Sequence, residues 1–313
     1  MAPERAVLKA LREIEPAGLE ELLGEATLAW ERRLHWDFRG TADLIRSYVA
    51  MQALEGLALV EGGKVAGYCY WVEDGSKMLL GDLYVREAIR DREREDLLLG
   101  GMVEAVRRRV RRVEAQLMQM GCRAAALLRE GPRPRVFPRL FMLRPCVGEE
   151  MGYRRGGWSG LDFGPWSMRW MEASAGLIAE VYAGHVDSEI NDQYLTVGGS
   201  SRFVQNIVQY PGCGVFLPRA SFVARDRGGV MAGLTLATRV AARTGHIAQI
   251  CIRGEWRGSG LAYELLRRTV AGLREAGVEE VSLTVTEENE RAVALYERCG
   301  FHAIRRFEAL VWE

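Results

Sequence analysis

The chain has 313 residues, with 42 Lys plus Arg against 42 Asp plus Glu and a formal net charge of zero, so nothing global calls for a nucleic-acid or anionic-membrane partner. Hydrophobic residues make up 48%, enough for two ordinary cores at this length, and no run approaches the 18 or more apolar residues that span a bilayer. The N-terminus, Met-Ala-Pro-Glu-Arg, opens into a charged amphipathic segment rather than a signal sequence, which sets the expectation of a cytoplasmic protein.

In chain order, Gly62-Gly-Lys-Val-Ala-Gly67-Tyr-Cys-Tyr-Trp71 reads as a turn feeding a strand of a meander. Next, Tyr84-Val-Arg86-Glu-Ala-Ile-Arg90-Asp91-Arg-Glu93 leads into Leu98, Leu99, Val103 and Val106 at helical spacing. The run Arg107 to Arg112 ends that helix, with Glu87, Asp91, Glu93, Glu95 and Asp96 at its other end. Cations at a helix C-terminus complement the dipole, and without aromatic interleaving the run reads as a solvated helix end rather than a nucleic-acid patch. A Pro- and Arg-rich stretch, Arg129 to Arg139, follows. Gly164-Pro165 then punctuates the chain, and Met168 to Met171 resembles the first strand of a new domain.

In the second half, the carboxylates of His185-Val-Asp187-Ser-Glu189-Ile-Asn-Asp192-Gln-Tyr194 suit either a cationic ligand or a locally capped helix end, and glycines at 198, 199, 212 and 214 mark loops beside it. Arg227-Gly-Gly-Val-Met-Ala-Gly233 is another turn feeding a strand. His246 precedes the β-rich run Ile247 to Ile252, and Leu261, Leu265, Leu266, Val270 and Leu273 then recur at helical spacing. Between strand and helix lies Arg257-Gly258-Ser259-Gly260. Two glycines there permit φ > 0 and close backbone approach, so helix N-terminal amides can face an anion such as a pyrophosphate. After a further strand, Val281 to Val285, the residues Asn289, Ala292 and Tyr296 stand at i, i+3 and i+7 on one helix face. Taken singly these are an N-cap, a helix former and a half-buried aromatic. Six cysteines, Cys69, Cys122, Cys146, Cys213, Cys251 and Cys299, form no Cys-x-x-Cys pair and no His-Cys cluster, so reduced thiols and no metal site are expected.

Arg257-Gly258-Ser259-Gly260-Leu261-Ala262, followed by Asn289-x-x-Ala292-x-x-Leu295-Tyr296-x-x-x-Gly300-Phe301, resembles the GNAT superfamily of acyl-CoA-dependent N-acetyltransferases. The resemblance is close over roughly the last 70 residues. It implies an α/β (α+β) fold with a mixed, mainly antiparallel twisted sheet flanked by helices, and acetyl-CoA as co-substrate. It further implies that Arg257 through Ala262 hold the pyrophosphate and Asn289 and Ala292 the pantetheine side. Backbone amides around Ile250, Cys251 and Ile252 would polarise the thioester carbonyl, and Tyr296 would protonate the departing thiolate.

The turn at Tyr84 to Glu93 lays on Cys251 to Gly260 without a gap, Leu98, Leu99, Val103 and Val106 fall on Leu265, Leu266, Val270 and Leu273, and Met151-Gly152-Tyr153 parallels Cys299-Gly300-Phe301. The chain therefore reads as two tandem GNAT-like domains, 1–164 and 165–313. In the first, Asp91 and Glu93 replace Gly258 and Gly260, while an offset of 148 residues puts Phe141, Arg144 and Gly148 where Asn289, Ala292 and Tyr296 stand. The first domain is thus expected to be degenerate and non-catalytic.

The resemblance implies direct attack of an amine on the thioester. Neutralising a lysine-like amine of pKa about 10.4 near pH 7.4 costs roughly 4 kcal/mol, against well under 1 for an α-amino group. A base is therefore useful for the first and optional for the second. His246 is the sequence's candidate base, with Gln249 as an alternative that holds a water. The expected acceptor is a small-molecule or peptide amine, with no nucleic acid, membrane or metal. The alternative is a non-catalytic acetyl-CoA sensor or interaction module. Nothing in the sequence fixes the oligomeric state.

Overall fold

A computed structural model describes residues 6–120, 133–148, 151–154 and 156–313. The N-terminal five residues, Cys122 and the start of the Pro- and Arg-rich stretch lie outside the described residues. The chain forms two compact units, Met1–Arg139 with Arg306–Glu313, and Leu140–Arg305.

The N-terminal unit comprises β1 (Val7–Ala10), α1 (Glu20–Leu34), α2 (Arg39–Ala50), β2 (Gly56–Glu61), β3 (Lys64–Asp74), β4 (Lys77–Val85), α3 (Arg92–Val106) and β5 (Arg112–Gln116). Its sheet runs β1-β2-β3-β4-β5, antiparallel except for the parallel β4/β5 pair. The chain's last residues complete it, with Ala309 to Trp312 pairing antiparallel to β5. Leu98, Leu99, Met102, Val103 and Val106 form the buried face of α3, packed with Cys69, Met78 and Leu83 of the sheet. Beyond it Arg107 and Arg108 pair with Glu104, Arg109 with Glu55, and Arg112 with Glu114. Helix α3 ends at Val106, ahead of the run expected to finish it, and the last residue of that run, Arg112, opens β5.

The C-terminal unit contains the remainder of β6 (Arg135–Pro145), β7 (Asp162–Pro165), α4 (Met171–Tyr182), α5 (Val186–Ile190), α6 (Val197–Gln209), β8 (Val215–Phe216), β9 (Phe222–Arg225), β10 (Met231–Arg239), β11 (Thr244–Ile252), α7 (Leu261–Glu275), β12 (Glu280–Thr286), α8 (Glu290–Arg298) and the start of β13 (His302–Trp312). Its strands run β6-β12-β11-β10-β9-β7, with β8 on β10. Helix α7 buries Leu266, Val270 and Leu273 on one face of the sheet against Ile247, Val281 and Leu283. Helices α4 and α6 cover the other with Leu177, Ile178, Val204 and Ile207.

Three sequence expectations change. Gly164-Pro165 is not a break between units but the end of β7, paired with Val223 and Phe222 of β9. Met168 to Met171 is a 3-10 turn leading into α4, not a strand. Residues 141 and 144 lie on β6, and Gly148 follows that strand in left-handed conformation at φ 96°. The offset of 148 is therefore wrong: β3 and β4 begin 167 residues before β10 and β11. The positions matching α8 then fall near residue 122, outside the described residues, so Phe141, Arg144 and Gly148 say nothing about a lost groove.

Candidate active site

The site is built on a defect in the sheet. Opposite β10, the register shifts between Leu236 and Ala237, which face Gln249 and Ile247. Ala248 is the extra residue, a bulge that bends β11. On its other edge β11 pairs in parallel with β12 only at Thr244, Gly245 and His246, opposite Glu280, Val281 and Ser282. Both strands continue for several residues beyond that last row, so they diverge. The gap exposes unpaired strand edges, which require partners.

Alternation along β11 decides which groups face that gap. The Arg253 N–H donates to the Ala232 carbonyl of the neighbouring chain segment, so Cys251 also directs its backbone groups toward β10, while Ile250 and Ile252 direct theirs toward the diverging β12 side. Of the three residues expected to present amides, Cys251 is therefore the exception. Its thiol is buried among Leu177, Tyr182 and Leu234, and burial pushes its pKa far up.

The phosphate turn follows directly. Gly258 and Gly260 have φ of 80° and 85°, and Gly260 is the residue that begins α7. Ser259 Oγ donates to the Trp256 carbonyl at 2.7 Å and accepts the Leu261 N–H at 3.3 Å, so the turn is fixed from within. Nothing lies within 4 Å of where a Gly258 Cβ would stand. Outside the turn, the Gly157 N–H donates to the Ser259 carbonyl at 2.8 Å, and Tyr263, under the Arg154 guanidinium at 4.6 Å, donates its hydroxyl to the Gly152 carbonyl. This support from Gly152, Arg154 and Gly157 was not anticipated from sequence.

The matching turn in the N-terminal unit is shorter. There the 3-10 turn Glu87–Ile89 is separated from the capping residue of α3 by Arg90 alone, whereas three residues, Arg257 to Ser259, separate Gly254–Trp256 from Gly260. The alignment stays gapless through the buried face of both helices, so α3 begins two residues earlier, with Arg92 and Glu93 helical where Ser259 and Gly260 form the turn. Asp91 caps α3, accepting the Arg94 N–H at 2.9 Å, and pairs with the Arg94 guanidinium.

On α8, Asn289 caps the helix through Oδ1, which accepts the Ala292 N–H at 3.3 Å. Its Nδ2 lies 3.3 Å from His185 Nε2. Tyr296 is 7% exposed, edge-on to Phe301 at 6.0 Å, and packed in the α7 layer beside Ile247 and Ile250. His246 is buried: its Nδ1 is 2.9 Å from Ser282 Oγ and its ring stacks near Phe141. It thus fastens the last row before the strands part.

On the α4 side of the sheet, Gln249 is 5% exposed and its Oε1 accepts from the Tyr182 hydroxyl at 3.4 Å. Its Nε2 is buried without a hydrogen-bond partner among the described residues, an unmet donor that a ligand acceptor atom would satisfy. Tyr182 stacks on Tyr194 at 4.4 Å and stands edge-on to His185 at 5.2 Å. Asp187, which follows His185, accepts the Thr286 hydroxyl at the end of β12 at 2.5 Å. The segment from His185 to Tyr194 stands out in the sequence, but its junction with Asn289 and Thr286 does not, because residues about a hundred positions apart meet there only through the sheet.

No helix among the described residues is long and apolar enough to cross a membrane, and none of their His, Cys, Asp and Glu groups could hold a metal ion. Residues 189–301 match the acetyltransferase (GNAT) family. The chain is 40% identical over 62 residues to the N-alpha-acetyltransferase MAK3 of Arabidopsis thaliana, covering 20% of this chain and 33% of that protein. It is 33% identical over 92 residues to the mycothiol acetyltransferase of Propionibacterium freudenreichii subsp. shermanii, covering 28% and 30%. The N-alpha-acetyltransferase 30 of Schizosaccharomyces pombe matches at the same identity and length over 28% of this chain and 61% of its own. The chain therefore spans between about a third and three fifths of these relatives' lengths. A GCN5-related N-acetyltransferase from Sphaerobacter thermophilus superposes with a TM-score of 0.70 at 19% identity, covering 99% of this chain and 96% of that one. A tandem GNAT protein from the clavulanic acid biosynthesis pathway superposes at 0.61 with 16% identity and 98% of both chains. The fold is shared over the whole length with these structures, and residues 189–301 match the GNAT acetyltransferase family.

Proposed function

We propose that the chain transfers the acetyl group of acetyl-CoA directly to a primary amine of a small molecule or peptide, at a single site in the C-terminal unit. One observation carries this: β11 and β12 part after His246 and Ser282, between the glycine turn that starts α7 and the helix that bears Tyr296. The residues present fit the co-substrate. Gly258 leaves the turn open to a pyrophosphate, with Arg257 and the amides of Leu261 and Ala262 beside it. Ile250 and Ile252 face the divergent edge, where their amides would draw charge onto the thioester oxygen as it develops. Asn289 and Ala292 line the pantetheine side, and the Tyr296 hydroxyl would give its proton to the departing thiolate.

His246 is enclosed by Ser282 and Phe141, which supports a fastening role rather than that of a base. Names among the relatives point to both α-amino and small-molecule acceptors, and the site is compatible with either. Calorimetric titration of acetyl-CoA, followed by thiol-release assays over small amines, lysine-containing peptides and free α-amino peptides, tests the proposal. Amine-dependent release of CoA is expected. Binding without release for every amine would leave an acetyl-CoA sensor as the reading.

A further inference from the structure

We infer that the segment passing through Gly156 and Gly157 is a strap that aims the Gly260 amide at the pyrophosphate, with Gly156 as a positioning residue, an assignment that rests on the cofactor reading above. Residues 152–154 and 156–158 run beside the glycine turn and the start of α7. The Gly157 N–H donates to the Ser259 carbonyl at 2.8 Å. The Tyr263 hydroxyl of α7 donates to the Gly152 carbonyl at 2.9 Å, and the Arg154 guanidinium lies 4.6 Å over the tyrosine ring. At the far end, Trp158 stands edge-on to Phe163 of β7 at 5.3 Å, and Phe163 lies under the Arg268 guanidinium of α7 at 4.2 Å. The strap is thus tied to the edge of the sheet as well as to the helix.

Glycine is required where the strap meets the turn. A Cβ on Gly156 would stand 2.5 Å from the Ser259 carbonyl oxygen and 2.5 Å from Trp158 Nε1, closer than such atoms pack. The carbonyl belongs to the backbone, so a methyl group there displaces either the strap or the turn.

The hold on Ser259 matters because of the peptide it belongs to. That peptide is trans, so the Ser259 carbonyl and the Gly260 N–H lie in one plane and point in opposite directions. A carbonyl fixed on the strap therefore turns the Gly260 N–H away from it, toward the side by which an anion must enter. The bonds of Ser259 Oγ to the Trp256 carbonyl and the Leu261 N–H close the turn but leave this peptide unheld. Gly258 and Gly260, at φ of 80° and 85°, let the backbone swing on either side of it. The strap supplies the missing restraint, and an amide already aimed at the anion need not be ordered when the cofactor binds.

The test compares two thioesters on the full chain: acetyl-CoA, and S-acetylpantetheine, which carries the same acyl group and arm without the pyrophosphate. Gly156→Ala should raise KM for acetyl-CoA about tenfold with kcat within about twofold, and should leave kcat/KM for S-acetylpantetheine unchanged. Tyr263→Phe, which frees one end of the strap and keeps the ring under Arg154, should move KM for acetyl-CoA the same way by about threefold. Equal losses with both thioesters in Gly156→Ala would mean general damage and overturn the proposal, as would an unchanged KM for acetyl-CoA. If the unaltered chain uses both thioesters equally well, the pyrophosphate turn itself is wrong, and the strap falls with it. If no amine releases thiol, the acetyltransferase reading fails separately, and calorimetry of acetyl-CoA decides: affinity about tenfold weaker in Gly156→Ala supports the strap, and unchanged affinity overturns it.

Discussion

Two buried side chains show how the same environment serves different ends. Asp82 on β4 is 6% exposed and accepts the Tyr68 hydroxyl at 2.7 Å. Burial raises its pKa from 3.8 to about 6, more than the hydrogen bond from Tyr68 lowers it. A carboxyl whose folded pKa lies above its unfolded one binds more protons when folded, so stability falls as pH rises from about 4 to 6 and stays low above. The shift corresponds to about 3 kcal/mol at most. Asp82→Asn keeps the acceptor for Tyr68 without the charge. Its stability advantage over the unaltered chain should be near zero at pH 4 and grow toward that limit by pH 7 in urea titrations; a constant difference would reject the account. Tyr296, equally enclosed, is placed beside the strand edge that would hold the thioester. Tyr296→Phe keeps the packing against Phe301 and removes the acid, so turnover should fall about 100-fold while acetyl-CoA affinity is retained. Equal loss of both would count against the acid role.

At the scale of elements, the glycine turn makes two claims that can be separated. Gly260 sits at φ 85° as the residue that begins α7, so any side chain costs about 1–2 kcal/mol of backbone strain. Gly260→Ala carries that cost alone, while Gly260→Asp adds a carboxylate where the pyrophosphate is proposed to lie. Acetyl-CoA affinity should drop modestly in the first and vanish in the second by calorimetry; matched losses would mean that strain, not charge, decides. The turn and α8 were legible in the sequence because each is local: two glycines in a strand-to-helix connection, and an i, i+3, i+7 face. The bulge at Ala248 and the parting of β11 from β12 were not, because register depends on strands far apart in sequence. The junction of His185 with Asn289 and of Asp187 with Thr286 was hidden for the same reason. Met168 to Met171 misled because a short apolar run does not distinguish a strand from the first turn of a helix, and Gly164-Pro165 because Pro also ends strands.

The repeat governs the whole molecule. Strands of the two units recur at an offset of 167 residues, and the parallel pair of the N-terminal unit, β4 with β5, likewise stops early, at Leu80 opposite Ala115. Even the bulge recurs, with Gly81 skipped between Leu80 and Asp82 as Ala248 is between Ile247 and Gln249. What has not been kept is the turn ahead of the helix. There α3 starts two residues early, with Arg92 and Glu93 helical in place of the Ser259-Gly260 turn, and the amides at its start face the carboxylate of Asp91, itself tied to Arg94. A pyrophosphate would have to displace that internal anion, against like charge. Calorimetry should accordingly return one acetyl-CoA per chain. Gly260→Asp should then reduce the count to zero, whereas Asp91→Ala should leave it at one, because removing the carboxylate does not unwind Arg92 and Glu93 into an open glycine turn. Two sites in the unaltered chain would show that the shortened turn still binds, and the N-terminal unit would have to be counted as a second cofactor domain.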